Sequence, residues 1–186
     1  MVDLLDLHKF FMLQHIGPGN TVADFTMGNG NDTLWLSKTV GENGKVYAFD
    51  IQEMALLNTE KRLRENGAPE NYELILDSHS NLKKYIHSPI KGGMFNLGWL
   101  PGSDKKYTTM RETTKKAVTD AIEMLDDDGV LLVAVYPGHE EGTLEGDMLR
   151  ELFASYPRWS YCCSIFRILN SPASPFFYLI EKKGKK

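Results

Sequence analysis

The sequence has few of the features that mark secreted, metal-binding or membrane proteins. It has two cysteines in 186 residues, Cys162 and Cys163, and adjacent cysteines do not easily reach disulfide geometry. No cluster of Cys and His residues has the spacing of a zinc site. The longest apolar run, residues 130–136, suits a buried strand and is too short for a transmembrane helix. Asp3 and Asp6 also argue against a signal peptide, so we expect a cytoplasmic protein without metal or membrane.

Charge and length exclude further classes of protein. A formal net charge of −4 argues against a protein that binds nucleic acid over most of its surface. A local basic cluster is nevertheless present, formed by Lys105, Lys106, Arg111, Lys115 and Lys116. It is predicted to be either a contact for RNA phosphates or a solvated helix face. The length suits one α/β domain over residues 1–186, and a hydrophobic content of 42% is ordinary for such a domain.

Strand and helix patterns alternate along the chain after an amphipathic helix within residues 1–17. Short apolar runs predict five strands, each followed by turn residues or a helical pattern. These runs are residues 21–25, 45–49, 72–76, 94–97 and 130–135. Two last strands, near residues 159–168 and 176–180, have no helix between them and are predicted to pair antiparallel. The order predicts a Rossmann-like, doubly wound and mostly parallel sheet of seven strands, one of them antiparallel.

Two helix starts carry recognisable capping residues. Asn31 or Asp32 is predicted to cap the helix that follows the glycine turn at residues 28–30. Thr109 and Glu112 have the spacing of a capping box for a later helix.

Polar residues follow the first five predicted strands. The carboxyl ends of parallel strands share one edge of the sheet, where ligands bind in folds of this kind. The candidate site residues at these ends are Gly28, Asn29, Gly30, Asn31, Asp50, Gln52, Asp77, Ser78, His79, Asn96, Trp99, Leu100, Pro101, Tyr136 and His139.

The spacing between Gly30 and Asp50 indicates an adenosine site. A carboxylate 20 residues after the glycine turn is placed to accept both hydroxyls of a ribose. Thr33 stands where a dinucleotide fingerprint has its third glycine, and Asp32 would repel a pyrophosphate at the helix N-terminus. The sulfonium and ammonium groups of S-adenosylmethionine are positively charged and would instead be attracted to the carboxylates of Asp24 and Asp32. The sequence therefore predicts this cofactor. Asp32 as a plain cap and Asp50 as a plain turn residue are the alternatives.

The segment from Asn96 to Trp99 is typical of methyltransferases that act on amines. An Asn oxygen at a strand end accepts the hydrogens of a base or an amine, and a following aromatic ring stacks on the base. Leu97 and Gly98 replace the proline pair of the familiar Asn-Pro-Pro-aromatic pattern. The alternatives are a core position for Trp99, a turn role for Asp77 and surface positions for the two candidate histidines.

Several of these segments together resemble one known family, the bacterial "putative rRNA methylase" family. The resemblance covers nearly the whole chain, in order. It is carried by residues 24–33, 46–52, 77–79, 95–105, 136–139 and 175–182. It implies a class I methyltransferase fold and S-adenosylmethionine as the methyl donor. It also implies action on transfer RNA, at the amine of 5-aminomethyl-2-thiouridine in the wobble position of the anticodon stem-loop.

Roles follow for the candidate residues under this interpretation. Asn96 orients the amine, and His79, His139 or Tyr136 takes its proton. Trp99 holds the thiouracil ring, with Leu100 and Pro101 beside it, and Lys105, Lys106 and Arg111 hold phosphates. The cofactor is expected on Gly28, Asn29, Gly30, Asn31, Asp50, Gln52, Asp77, Ser78 and His79.

Other functions stay open at this point. They are methylation of a ribosomal RNA base or another amine, a dinucleotide-dependent oxidation, and non-catalytic binding of adenosine. A homodimer is one of the oligomeric states that the sequence leaves open.

Overall fold

The structure is a computed structural model that describes residues 4–98, 109–138 and 140–184. Strands and helices alternate through most of these residues, as the apolar pattern predicts. The strands are β1 (Thr21–Asp24), β2 (Lys45–Asp50), β3 (Tyr72–Leu76), β4 (Ile90–Leu97), β5 (Leu125–Val135), β6 (Tyr161–Phe166) and β7 (Phe176–Lys182). The helices are α1 (Leu4–Met12), α2 (Asn31–Val40), α3 (Glu53–Glu65), α4 (Arg111–Met124) and α5 (Glu140–Ala154). The first helix therefore ends earlier than the predicted boundary at residue 17.

The strands form one sheet in the order β3-β2-β1-β4-β5-β7-β6. Strands β1 to β5 pair in parallel, and β7 runs antiparallel to both β5 and β6. The predicted doubly wound sheet with one antiparallel strand is confirmed, as is the antiparallel pairing of the last two strands. From β1 the chain continues outward on one side of the sheet, through β2 to β3. From β4 it continues outward on the other side. The strand order therefore reverses between β1 and β4. Ligands of such sheets bind beside this switch point.

Apolar side chains cover both faces of the sheet, as a mostly parallel sheet requires. Helices α4 and α5 pack on one face, where Phe25, Phe49 and Phe95 lie within the buried core. Helices α1 and α2 pack on the other face, which buries Met12 and Leu36 completely. The amphipathic pattern of α1 thus fixes this helix on the sheet.

Strand β4 is longer than the predicted strand at residues 94–97. Gly92 and Gly93 interrupt the apolar run, and glycine is unfavourable in a strand, so the sequence predicts a late start. In the structure a Cβ on Gly92 would lie 2.6 Å from Cγ2 of Ile16, and one on Gly93 would lie 2.8 Å from side-chain atoms of Phe25 and Leu131. Close packing on both faces therefore requires the glycines and keeps them within the strand.

Both predicted helix caps are wrong. The N-cap of α2 is Gly30, in a left-handed conformation with φ 77°, and not Asn31 or Asp32. The N-cap of α4 is Met110, without a side-chain hydrogen bond, so Thr109 does not form the predicted capping box. In both cases contacts from elsewhere in the fold override the local preference.

Thr109 is instead bound to a buried carboxylate. Its Oγ1 donates to Glu145 Oε2 at 2.8 Å, and Thr114 Oγ1 donates to Glu145 Oε1 at 2.6 Å. Burial raises the pKa of Glu145, whose side chain is fully enclosed. The backbone N–H of Thr109 also donates to the Gly98 carbonyl at 2.9 Å. These bonds join the end of β4 to the approach of α4 and to α5.

The described residues contain no helix that is long and apolar enough to cross a membrane. Across the same parts of the chain, no group of three or more His, Cys, Asp or Glu side chains is placed to hold a metal ion.

Candidate active site

A cavity of ≈ 490 Å³ opens at the carboxyl ends of β1, β4 and β5, beside the switch point. Its described lining comes from residues 26–29, 31 and 32 after β1, residues 96–98 at the end of β4, and Tyr136 after β5. His8 and Lys9 of α1 complete it. The structure therefore brings five predicted site residues together around one cavity, namely Gly28, Asn29, Asn31, Asn96 and Tyr136.

The other predicted residues fall into two groups. The described ones that do not line this cavity are Gly30, Asp50, Gln52, Asp77, Ser78, His79 and Arg111. The remaining six lie outside the described residues, namely Trp99, Leu100, Pro101, Lys105, Lys106 and His139.

Helix α3 holds the glycine turn after β1 through two hydrogen bonds to its carbonyl groups. Thr59 Oγ1 donates to the Gly28 carbonyl at 3.1 Å, and Arg62 Nε donates to the Asn29 carbonyl at 2.6 Å. Gly30 has φ 77°, and a Cβ there would lie 2.9 Å from the Thr59 Cα. An L side chain at this position would strain the backbone and collide with α3, so the turn requires glycine.

Asp50 links this turn to the start of α3. Its Oδ2 accepts the Gly28 N–H at 3.1 Å, and its Oδ1 accepts the Gln52 N–H at 3.0 Å. Burial raises the pKa of Asp50, although the backbone hydrogen bonds act in the opposite direction. Each carboxylate oxygen keeps a further lone pair, so the group can still accept a ribose hydroxyl. Gln52 occupies the N-cap position of α3.

Asp77 and Ser78 build a short 3₁₀ helix, His79–Lys84, that the sequence pattern did not predict. Asp77 Oδ1 accepts from Asn81 Nδ2 at 2.9 Å, and Asp77 Oδ2 accepts from the Tyr85 hydroxyl at 2.9 Å. The hydrogen bond from Asn81 is the main reason that the pKa of Asp77 is lowered. Ser78 Oγ accepts the Ser80 N–H at 3.2 Å and caps the 3₁₀ helix. Both side chains thus have structural partners beside the predicted cofactor site.

His79 is a half-buried imidazole at the start of the 3₁₀ helix. Its Nδ1 lies 3.1 Å from the Phe25 carbonyl, which can only accept, so Nδ1 carries the proton. Its Nε2 is shielded from solvent and has no hydrogen-bond partner. Burial lowers the pKa of His79 to about 4. Because this ring does not line the cavity, it is poorly placed to take a proton from a substrate there.

A buried aspartate lies behind the cavity. Asp24 is fully buried at the end of β1, where its Oδ2 accepts from Thr33 Oγ1 at 2.6 Å and its Oδ1 accepts the Thr26 N–H at 3.1 Å. Desolvation and the nearby charge of Asp32 raise the pKa of Asp24 to about 7. A cation in this part of the site would favour its ionised form.

The raised pKa of Asp24 predicts a specific dependence of stability on pH. The unfolded chain ionises this group near pH 4, and the folded protein does so only near pH 7. The contribution of Asp24 to stability is therefore complete below about pH 4 and declines as the pH rises to about 7, by up to roughly 4 kcal/mol. Urea unfolding of the parent and of Asp24→Asn from pH 4.5 to pH 8 measures this. The parent should lose stability relative to the variant across that range, and a difference independent of pH would contradict the prediction.

Asn96 lies at the centre of the polar wall of the cavity. Its Nδ2 donates to Asp32 Oδ2 at 2.8 Å, and its backbone N–H donates to Thr26 Oγ1 at 2.7 Å. Asp32 can only accept, so this contact fixes which end of the amide is nitrogen. The Tyr136 hydroxyl lies 3.5 Å from Asn96 Oδ1, at the outer limit of a hydrogen bond. The amide oxygen is thus oriented and retains capacity to accept a hydrogen from a bound amine.

Sequence reasoning placed no residue of α1 at the cavity, where His8 and Lys9 lie. Both lie on α1, far from any strand end, and only the packing of α1 against the sheet places them here. Their polar character within an amphipathic helix was the one available signal, and it does not distinguish a cavity from solvent.

Comparison with known proteins identifies the family. The family described as "Putative rRNA methylase" matches residues 46–182, which is most of the chain. The chain belongs to this family. A crystal structure of an rRNA methylase of this type from Clostridium thermocellum is 36% identical, with a TM-score of 0.94, covering 98% of each chain. This rRNA methylase family member therefore has the fold that its resemblance implied.

Two further relatives of this family member bear on its chemistry. A methyltransferase from Streptococcus mutans, solved in complex with SAH, is 34% identical with a TM-score of 0.89, covering 98% of this chain and 99% of that one. A chloroplastic "tRNA (mnm(5)s(2)U34)-methyltransferase" of Arabidopsis thaliana is 33% identical over 180 residues, 91% of this chain. The chain spans 66% of the length of that relative.

Proposed function

We propose that this protein methylates the aminomethyl nitrogen of 5-aminomethyl-2-thiouridine at the wobble position of transfer RNA. The observation that carries the proposal is the wall formed by Asp32, Asn96 and Tyr136, which presents oxygen atoms to an amine at the switch point. The Arabidopsis relative, a tRNA (mnm(5)s(2)U34)-methyltransferase by name, supports the same substrate.

The broader class is an S-adenosylmethionine-dependent methyltransferase of the rRNA and tRNA methylase type. The side chains present fit this cofactor. Asp24, Asp32 and Asp50 surround the glycine turn with carboxylates, which suit a donor with sulfonium and ammonium groups. Asp32 in the first turn of α2 disfavours a pyrophosphate, so a dinucleotide fits less well. When bound, S-adenosylmethionine supplies an electrophilic methyl group.

The protein's proposed contribution is to orient the amine and to accept its proton. An alkylamine resembles lysine, with a pKa of about 10.4, and must lose a proton before it can react. We assign hydrogens of the amine to Asn96 Oδ1 and to the carboxylate of Asp32, which aim its lone pair. Positioning of this kind is a main source of rate in transfers between two bound groups. Of the predicted proton acceptors, Tyr136 lines the cavity, His79 does not, and His139 lies outside the described residues.

Recognition of the RNA is assigned to the segment after β4. Trp99, with Leu100 and Pro101, is proposed to stack on the thiouracil ring, and Lys105 and Lys106 to hold phosphates. Arg111 is a weaker candidate, because its Nε lies 3.0 Å from Glu141 Oε1 and its charge is already compensated.

The test of the proposed function is mass spectrometry of wobble nucleosides. Transfer RNA that carries the unmethylated aminomethyl group is incubated with the protein and S-adenosylmethionine, and ribosomal RNA serves as the parallel substrate. We expect a gain of one methyl group on the aminomethyl nucleoside alone. Methylation of ribosomal RNA, with none on transfer RNA, would instead support the family description as an rRNA methylase.

Salt dependence tests the assignment of Lys105 and Lys106 to phosphates. Binding that releases counterions weakens linearly on a logarithmic salt scale, by roughly one unit of slope for each phosphate contact. Replacing both lysines with alanine should therefore flatten the slope by up to about 2 units. Filter binding with an anticodon stem-loop at several salt concentrations measures this. Lys38→Ala with Lys61→Ala, two exposed lysines on other helices, is the matched control. An unchanged slope in the first variant means that this cluster is only a solvated face.

A further inference from the structure

Helix α1 brings a lysine into the cavity. Lys9 Nζ lies 3.9 Å from Asp32 Oδ1 and 5.8 Å from the centre of the Trp35 ring, and its side chain is 34% exposed. A separation of 3.9 Å is too long for a hydrogen bond. The ammonium group is therefore attracted to Asp32 and still has hydrogens to donate toward the cavity.

The position of Lys9 is fixed by the packing of α1. Met12 and Ile16 are buried against the sheet, and the rings of Phe11 and Phe166 lie 4.7 Å apart. Beyond the helix, the His15 Nε2 lies 3.2 Å from Glu181 Oε1 on β7. A lysine on a helix anchored in this way forms a fixed part of the cavity wall.

Charge balance indicates what this lysine binds. The amino-acid end of S-adenosylmethionine carries an ammonium and a carboxylate, next to the sulfonium. Asp32 on the cavity wall, with Asp24 buried behind it, suits cationic groups, whereas a carboxylate requires hydrogen-bond donors with positive charge. Among the described residues that line the cavity, Lys9 is the side chain with a permanent positive charge.

We propose that Lys9 binds the α-carboxylate of the methionine moiety of the methyl donor. The inference rests on the donor site proposed above and adds α1 to it. The ammonium of Lys9 then bridges two carboxylates, that of Asp32 and that of the donor. Asp32 in turn is held by Asn96, so the same chain of contacts runs from the donor's amino-acid end to the group that orients the amine.

A comparison of two ligands isolates the carboxylate. S-adenosylhomocysteine has the amino-acid end, and 5′-methylthioadenosine has the same adenosine and thioether without it. Lys9→Met removes the charge and keeps an unbranched stem beside Trp35. Isothermal titration calorimetry should show about a 10-fold or larger loss of affinity for S-adenosylhomocysteine. Affinity for 5′-methylthioadenosine should stay within about twofold of the parent.

Matched variants control for charge and folding. Lys61→Met removes an exposed lysine of α3 that lies 3.9 Å from Glu65, and it should change neither affinity. Lys9→Arg keeps a cation at the site and should restore most of the lost affinity. The melting temperatures of all three variants should stay close to that of the parent.

Three outcomes would overturn the inference. An equal loss for both ligands in Lys9→Met would mean that Lys9 acts on the shape of the cavity. Unchanged affinity for both ligands, with weaker binding of an anticodon stem-loop, would assign Lys9 to an RNA phosphate. If the parent protein binds neither ligand, the proposed donor site itself is wrong. This result differs from the other two because binding is then absent before any substitution is made.

Discussion

Replacing Asn96 with alanine should lower the single-turnover rate of methyl transfer by about 100-fold, the size expected when a positioning contact is lost. Affinity for S-adenosylmethionine should change by less than about 1 kcal/mol, because the adenosine contacts lie elsewhere. The reason is the orientation of the amide, whose nitrogen is held by Asp32 and whose oxygen faces Tyr136. Rapid-quench kinetics and calorimetry on one preparation measure both quantities.

The alternative makes Asn96 a structural residue at the end of β4. In that case Asn96→Ala should lose thermal stability and donor affinity together, by about 1–2 kcal/mol. Asn66→Ala is the matched control, since Asn66 Nδ2 donates to the Arg62 carbonyl at the exposed end of α3. It should leave the transfer rate unchanged. A rate for Asn96→Ala within about threefold of the parent would remove Asn96 from the catalytic residues.

Replacing Asp50 with alanine should weaken binding of S-adenosylmethionine by about 2 kcal/mol or more, roughly 30-fold. Two effects add here, since the variant loses the proposed acceptor for the ribose hydroxyls and also the acceptor of the Gly28 N–H. Calorimetry measures the loss, and NAD should not bind to the parent. Asp147→Ala on the exposed side of α5 is the control and should bind the donor normally.

A deoxyribose analogue separates the two effects at Asp50. The parent should bind S-adenosylhomocysteine more tightly than its 2′-deoxy form, and Asp50→Ala should bind both equally. If the variant still discriminates between them, Asp50 only holds the glycine turn. Unchanged affinity of Asp50→Ala for the natural donor would contradict both roles.

The sheet was predictable because each strand is an apolar run bounded by turn residues. The spacing between the glycine turn and Asp50 was also informative, since these two parts are joined by a hydrogen bond in the structure. Asn96 lies near the end of β4 and Tyr136 directly follows the neighbouring β5, so their meeting at one edge follows from the order of the strands. Periodicity and strand order together therefore predict most of the polar wall of the cavity.

The failures have a common physical cause, which is contact between segments distant in sequence. Gly92 and Gly93 interrupt the local strand pattern, yet close packing of Ile16, Phe25 and Leu131 keeps them in β4. Thr109 has the local spacing of a capping residue and is bound instead by Glu145. Lys9 reaches the cavity only because α1 packs against the sheet. Such positions depend on the complete fold and carry no local signal.

The bond between the Gly98 carbonyl and the Thr109 N–H joins the two described residues that flank residues 99–108. Glu145 of α5 accepts a hydrogen bond from the Thr109 hydroxyl and so fixes this junction. We therefore expect that the number of residues between Gly98 and Thr109 can change without altering the register of β4 or the start of α4. The segment proposed to recognise RNA can thus vary independently of the sheet, whereas the proposed donor site depends on the order of the strands.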